Sequence, residues 1–86
     1  MKVAISFAER VLNVVRNIPR GQTRSYAQVA NAAGNARAYR AVGTIMKNNH
    51  DPNVPCHRVI KSDGTLGGYN RGPARKQKIL REEGAL

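Results

Sequence analysis

Apolar residues recur along the chain at helical intervals, and the polar residues between them mark where each helix starts and stops. Phe7, Val11, Val14, Val15 and Ile18 share one face of a helix predicted over 7–17. A Ser6-x-x-Glu9 capping box opens it, with hydroxyl and carboxylate satisfying free backbone N–H groups, and Pro19 closes it. Gly21-Gln22-Thr23-Arg24 is a short polar link with room for a brief strand. Ser25-Tyr26-Ala27-Gln28 is a second capping box, opening a helix over 26–33 with Val29 and Ala30 inward and Gly34 able to take the left-handed conformation that ends it. Asn35 then caps a third helix over 36–48. Three or four residues including a glycine separate these two short helices, the spacing of a helix-turn-helix.

The third helix, ARAYRAVGTIMKN, has two faces. Ala38, Ala41 and Val42 with Ile45 and Met46 can pack or allow close approach. Arg37, Arg40, Thr44 and Lys47 follow i, i+3, i+7, i+10 spacing on another side. That stripe reads either as a recognition surface or as a solvated basic face. The Asn- and Pro-rich loop that follows cannot continue the helix. Val59-Ile60 and Thr65-Leu66 flank Ser62-Asp63-Gly64, predicting a hairpin that turns at Asp-Gly, and a hairpin after a helix-turn-helix is a wing. A glycine-rich stretch, Gly67-Gly68-Tyr69-Asn70-Arg71-Gly72, leads to Pro73 at the first position of a last helix over 73–83. Ala74, Ile79 and Leu80 are its apolar residues and Gly84 ends it. The predicted fold is mainly α with a small β hairpin, a winged helix-turn-helix.

Size and charge narrow the function. Eighty-six residues, 41% of them hydrophobic, support one modest core and exclude a multidomain enzyme. No apolar run approaches the roughly 18–20 residues of a membrane span, and MKVAISFAER lacks the pattern of a signal peptide. The expectation is an intracellular soluble protein, cytoplasmic at the nucleoid or nuclear in a eukaryote. Fifteen Lys+Arg against five Asp+Glu give a net charge of +10. Between Arg10 and His50 there is no acidic residue, while Arg10, Arg16, Arg20, Arg24, Arg37, Arg40 and Lys47 are basic. Such a stretch attracts a polyanion, nucleic acid first, because neutralised phosphates release counterions. A cationic solubilising face or a membrane-surface patch would carry the same signature.

The chain's one cysteine, Cys56, cannot form an internal disulfide, and with His50 and His57 it falls short of a four-ligand structural zinc site. A cysteine beside a histidine amid basic residues is a plausible activated thiol. Taken alone, such a cysteine is more often an inert small core residue.

Ser25-Tyr26, Arg40-Ala41-Val42-Gly43, Met46, Asn49, Pro55-Cys56-His57-Arg58-Val59, Gly67-Gly68-Tyr69 and Glu83-Gly84 together resemble the C-terminal domain of the O6-alkylguanine-DNA alkyltransferases, from about Phe7 to Gly84. The resemblance implies one domain over 1–86. Its helix-turn-helix lies at about 26–48, active-site loop and wing at about 49–72, and C-terminal helix at about 73–83. It also implies transfer of an alkyl group, methyl first, from guanine O6 to the Cys56 sulfur, irreversibly and once per molecule. His57 matches the residue that takes the thiol proton, Glu83 the carboxylate that holds it, and Asn49 the asparagine that tightens the adjoining turn. The loop from Asn49 to Cys56 is one residue shorter than in the familiar form.

The target base must leave the duplex for such chemistry. By resemblance, Arg40 fills the vacated space, Tyr26 crowds the target phosphate, and Ala38, Ala41 and Gly43 let the helix enter the minor groove. Thr44, Arg37 and Lys47, from the basic stripe of the same helix, are expected as further DNA contacts. Tyr39 departs from the family, since the matching position is usually small. Met46, Val59, Tyr69 and Asn70 match the walls of the base pocket, Tyr69 either edging the base or packing under the glycine loop. No metal, nucleotide or methyl-donor cofactor is implied. The partner is double-stranded DNA carrying O6-alkylguanine, met as a monomer and away from membranes. Met1 lies close to the first helix, so a stand-alone domain is expected. That size is also typical of alkyltransferase-like proteins, which bind the lesion without repairing it and recruit nucleotide excision repair. A third alternative, a winged-helix transcription factor, leaves Cys56, His57 and Glu83 unused.

Overall fold

Valines from three helices close the centre of the molecule, and the polar residues flanking each helix explain where it stops. The computed structural model describes residues 6–67 and 72–86. In chain order these form α1 (Phe7–Arg16), β1 (Arg24–Ser25), α2 (Tyr26–Ala32), α3 (Tyr39–Asn48), a 3-10 turn (Cys56–Arg58), β2 (Val59–Ile60) and α4 (Pro73–Glu82). The class is mainly α with a small two-stranded sheet, as the periodicity predicts.

Ser6 Oγ accepts from the Glu9 amide at 3.2 Å and starts α1, whose Val11 and Val15 are fully buried. The box at α2 is complete. Ser25 Oγ takes the Gln28 amide at 3.0 Å, while Gln28 Oε1 takes the Ser25 amide at 2.8 Å. Gly34, at φ +99°, turns the chain out of α2, and the Ala33 carbonyl is satisfied by Arg10 Nε of α1 at 2.8 Å. Val29 and Ala30 of α2, Val42 and Met46 of α3, and Val54 and Val59 complete the core around Val11, Val15 and Ile18.

Three local expectations are corrected. Asn35 does not cap a helix over 36–48. Its side chain accepts from the Arg37 amide at 3.3 Å and its carbonyl from the Ala38 amide at 3.0 Å, so 35–38 form a tight turn. Regular helix begins only at Tyr39, leaving Arg37 and Ala38 ahead of it; of the two alternatives for Ala41, it is exposed and open to close approach. Nor do Val59 and Ile60 pair within a hairpin. They lie parallel to β1, Arg24 opposite Val59 and Ser25 opposite Ile60. The Asp-Gly turn does form, through Lys61 N to Thr65 O at 2.9 Å and Gly64 N to Lys61 O at 3.0 Å. Asp63 Oδ1 takes both the amide and the hydroxyl of Thr65, so among the described residues the chain is held as a tight loop and Thr65-Leu66 form no strand. In α4, Ala74 is exposed and the inward position is taken by Lys76, one turn before the buried Leu80.

The link after α1 depends on Gly21. It sits at φ +87°, and a Cβ there would meet the Glu83 carbonyl oxygen at 3.1 Å. A side chain therefore meets both an unfavourable backbone conformation and a backbone atom that cannot turn aside. Gly21→Ala is expected to lower stability by about 1–2 kcal/mol. Urea unfolding followed by circular dichroism measures this, and an unchanged midpoint would refute the close approach.

Candidate functional site

Cys56 stands at the start of the 3-10 turn, where the chain has little freedom. Its amide donates to the Val54 carbonyl at 2.8 Å, and the Arg58 amide to the Pro55 carbonyl at 2.9 Å. Asn49, the buried residue ending α3, steadies the preceding loop. Its Oδ1 accepts from the Asp51 amide at 3.3 Å and its Nδ2 reaches the Val54 carbonyl at 3.5 Å. Cys56 is 8% exposed, at the edge of the core. Because β2 follows the turn directly and pairs with β1, which runs straight into α2, the sheet fixes Cys56 relative to Tyr26.

The far end of α4 closes on the same turn. Glu83 caps the helix, and Gly84 at φ +80° lets the chain leave it. The Glu83 carboxylate is shared. Oε1 meets His57 Nε2 at 3.0 Å and accepts from Arg58 Nε at 3.0 Å, while Oε2 accepts from Arg58 Nη2 at 2.6 Å. Arg58 uses its remaining arm, Nη1, on the Ile18 carbonyl at 2.8 Å, tying in the end of α1. This forked pairing holds the Glu83 carboxyl down to about 2, with His57 assisting. For His57, burial acts most strongly and pushes the imidazole below 6.5. Glu83 pulls it upward, and Arg58 and Lys76 push it down. Its neutral form, the one that can accept a proton, therefore prevails at pH 7.

Tyr26 and Lys76 line the other side. The Tyr26 phenol is half-buried and pushed above 10.0 by burial and then by the Cys56 charge. Gly67 lies against it, since a Cβ there would come within 3.3 Å of the hydroxyl. Lys76 Nζ sits 5.9 Å from the centre of the Tyr26 ring.

The basic face lies on and before α3. Arg37, Arg40, Thr44 and Lys47 are exposed, Ala38 and Gly43 half-buried. Tyr39 is 46% exposed, with the Arg40 guanidinium 6.0 Å from its ring centre, so the phenol points outward. A cleft of about 440 Å³ opens between Tyr26, Ala27, Tyr39 and Gly43 on one side and the turn at Lys61, Ser62 and Asp63 on the other. Met46 and Val59 lie in the core and do not line this cleft. Tyr69 and Asn70 lie outside the described residues.

Among the candidates, the fold thus gathers Cys56, His57, Glu83, Asn49 and Tyr26 around one turn and sets Arg37, Arg40, Thr44 and Lys47 on one outer face. Two residues escaped the sequence reading. Arg58 was legible only as part of Pro55-Cys56-His57-Arg58-Val59. Lys76 stands three and four residues before Ile79 and Leu80, on the apolar stripe of α4, but its charge disguises it. Among the described residues no cluster of histidine, cysteine or carboxylate groups could hold a metal ion.

Residues 6–85 match the family model described as 6-O-methylguanine DNA methyltransferase, DNA binding domain. A methylated-DNA–protein-cysteine methyltransferase of Methanothermobacter thermautotrophicus is 45% identical over 78 residues, covering 91% of this chain and 44% of that protein. The chain spans 22% to 51% of the length of the curated relatives it matches. The structure of Mycobacterium tuberculosis OGT in complex with DNA superposes with a TM-score of 0.86 at 41% identity, over 94% of this chain and 50% of that one. That of S. pombe Atl1 in complex with damaged DNA containing O6-carboxymethylguanine gives 0.83 at 37% identity, over 91% of this chain and 75% of that one.

The Glu83 pairing has a pH signature. Its carboxyl is held at about 2 against an ordinary 4.5, so its stabilisation is complete above 4.5 and is lost as pH falls through about 2. Glu83→Gln should cost about 3 kcal/mol at neutral pH, as for other largely buried pairs with one partner removed. The gap to wild type should close between pH 4.5 and 2. Urea unfolding at a series of pH values tests this, and a gap constant across that window contradicts the pairing.

Proposed function

The chain belongs to the 6-O-methylguanine DNA methyltransferase DNA-binding domain family, and on that premise we propose that it repairs O6-alkylguanine in duplex DNA by moving the alkyl group onto Cys56. The observation that carries the reading is the turn in which Cys56 is followed by a histidine bonded to Glu83 at 3.0 Å, in a molecule whose α3 exposes Arg40 and Lys47.

His57 takes the thiol proton, directly or through a water, and the Glu83 carboxylate orients the ring and stabilises its cationic form. The Cys56 sulfur then attacks the alkyl carbon. As the S–C bond forms, the C–O6 bond breaks, its electron pair stays on the base, and the base takes up a proton. Thiol and O6-alkylguanine become thioether and guanine, with no redox change and no second substrate. A thioether cannot re-enter the cycle, so each molecule acts once. Arg58 binds the second carboxylate oxygen and keeps Glu83 ionised over the working range.

The base must be extruded for the sulfur to reach it. Arg40 is the residue we assign to the vacated stack, with Tyr26 at the target phosphate and Ala38, Ala41 and Gly43 admitting the groove. Arg37, Thr44 and Lys47 contact the backbone, which gives affinity with little sequence preference. Tyr69 and Asn70 remain proposed pocket walls, with Met46 and the main chain at Val59 backing the pocket from the core, and double-stranded DNA remains the proposed partner. The likeness to Atl1 favours a second reading, a lesion-binding protein that leaves the alkyl group in place and hands the site to nucleotide excision repair.

Mass spectrometry of the intact chain after incubation with a duplex holding one O6-methylguanine separates the two. Transfer adds one methyl mass on Cys56, in step with restored guanine, and Cys56→Ser abolishes the gain while keeping lesion binding. His57→Ala should slow transfer about 100-fold or more at neutral pH. Lesion binding with no mass gain on wild type would establish the second reading instead.

For the basic face, Arg40→Ala and Lys47→Ala should weaken duplex binding. Removing the Lys47 phosphate contact should reduce the steepness of log affinity against log salt by about one unit. Fluorescence anisotropy across a salt series measures both, and an unchanged slope would remove Lys47 from the interface.

A further inference from the structure

Tyr39 is an aromatic side chain that neither the core nor the transfer scheme uses. It lies outside the core cluster and is not among the half-buried side chains packed against it, whereas Tyr26 is. At 46% exposure it is one of two large exposed apolar residues among those described, the other being the last residue, Leu86. A lone exposed apolar side chain is ordinary on a protein surface and needs no explanation. Tyr39, however, stands inside the basic face, between the exposed Arg37 and Arg40, with the Arg40 guanidinium 6.0 Å from its ring centre. Its ring also walls the cleft of about 440 Å³, beside Tyr26, Ala27 and Gly43 and opposite the turn at Lys61, Ser62 and Asp63.

The wall that Tyr39 shares carries two phenols, a methyl group and a glycine, and no charged side chain. Cations stand around it: Arg37 and Arg40 on one side, Lys61 across the cleft, all exposed. Asp63, the carboxylate at the rim, is turned onto the amide and hydroxyl of Thr65. A polyanion drawn in by the cations therefore meets an aromatic surface between them. DNA is a polyanion that also presents flat π-faces, those of its bases.

We propose that Tyr39 is a specificity-determining residue for lesion DNA, its ring entering beside Arg40 and stacking on the base that adjoins the vacated position. The inference rests on the proposed function, because it takes Arg40 as the residue that fills the vacated stack. Extruding one base strips its neighbour of a stacking partner, and an aromatic ring covers such a face whatever the base. Wedges inserted between base steps from the minor groove act in this way. Tyr39 and Arg40 are consecutive at the start of α3, so one approach of the helix delivers ring and guanidinium together. Their mutual contact, at the outer limit of a cation–π interaction, is readily exchanged for contacts with DNA. The stacking contact is uncharged, so its share of the affinity is not screened by salt.

The test is fluorescence anisotropy with a labelled duplex holding one O6-methylguanine, using Cys56→Ser as the parent so that the lesion stays intact. Tyr39→Ala should weaken binding about tenfold, while Tyr39→Phe, which keeps the ring, should bind as the parent does. The slope of log affinity against log salt should be the same in all three. An abasic sugar is then placed at each neighbour of the lesion in turn. At one of the two positions the losses from Tyr39→Ala and from the missing base should fail to add, because they remove the same contact. Parent affinity in Tyr39→Ala, with the fold intact by circular dichroism, overturns the proposal, as do additive losses at both neighbours. A slope in Tyr39→Ala that falls by about one unit overturns it too, since the ring would then act only by holding Arg40. A parent that binds no duplex defeats the proposed function and this inference with it, whereas a parent that binds alongside an equal Tyr39→Ala defeats this inference alone.

Discussion

The forked bond between Arg58 and the Glu83 carboxylate is the constraint on which the rest of the site depends. It joins the turn that carries Cys56 to the residue that caps α4, and the third guanidinium contact, on the Ile18 carbonyl, brings in the segment after α1. Three segments are tied together by one planar cation whose donors match a carboxylate and a carbonyl at once. Such a pair adds little net stability against an apolar substitute, but it specifies one arrangement, because removing either partner leaves the other charge largely buried and unpaired. His57 inherits its orientation from this arrangement, since the oxygen it meets is already held by Arg58.

A small core of valines and alanines leaves the polar groups to set the geometry. Asn49 shapes the loop before Cys56, the Ser25–Gln28 box sets the start of α2, and the short parallel sheet transmits that position to the 3-10 turn. Each is a local hydrogen-bond device of one or two bonds. Together they place a thiol, an imidazole, a phenol and an ammonium around one turn, in a region dry enough to move the ionisation of several of them.

The ten excess positive charges do not act as one surface. Arg10 closes the end of α2, Arg24 bonds Thr23 and Gln22, Arg58 belongs to the Glu83 pair and Lys76 is buried. Arg37, Arg40 and Lys47 are displayed together at α3, with the exposed Tyr39 among them. A basic composition attracts a polyanion over long range, and this exposed group gathers part of that charge on one face.

The helices were legible in the sequence because each carries its own signals. The Ser6 cap, the capping box at Ser25, glycines after α2 and α4, Pro73 and the spacing of buried valines are all local signals, and local hydrogen bonds hold the two caps. The candidate site was legible as a set of residues through the resemblance, since Cys56, His57 and Glu83 fall in the expected order. Tertiary structure decided what depends on distant partners. Val59-Ile60 has strand character that fits an antiparallel neighbour in the following turn as well as a parallel one in β1, and only the folded chain brings Arg24-Ser25 alongside. Asn35 can cap a helix or make a tight turn, and the turn is formed. Arg58 and Lys76 read as surface cations because charge is the strongest exposure signal in a sequence. What buries them is a carboxylate 25 residues away and a carbonyl 17 residues away, which no periodicity records.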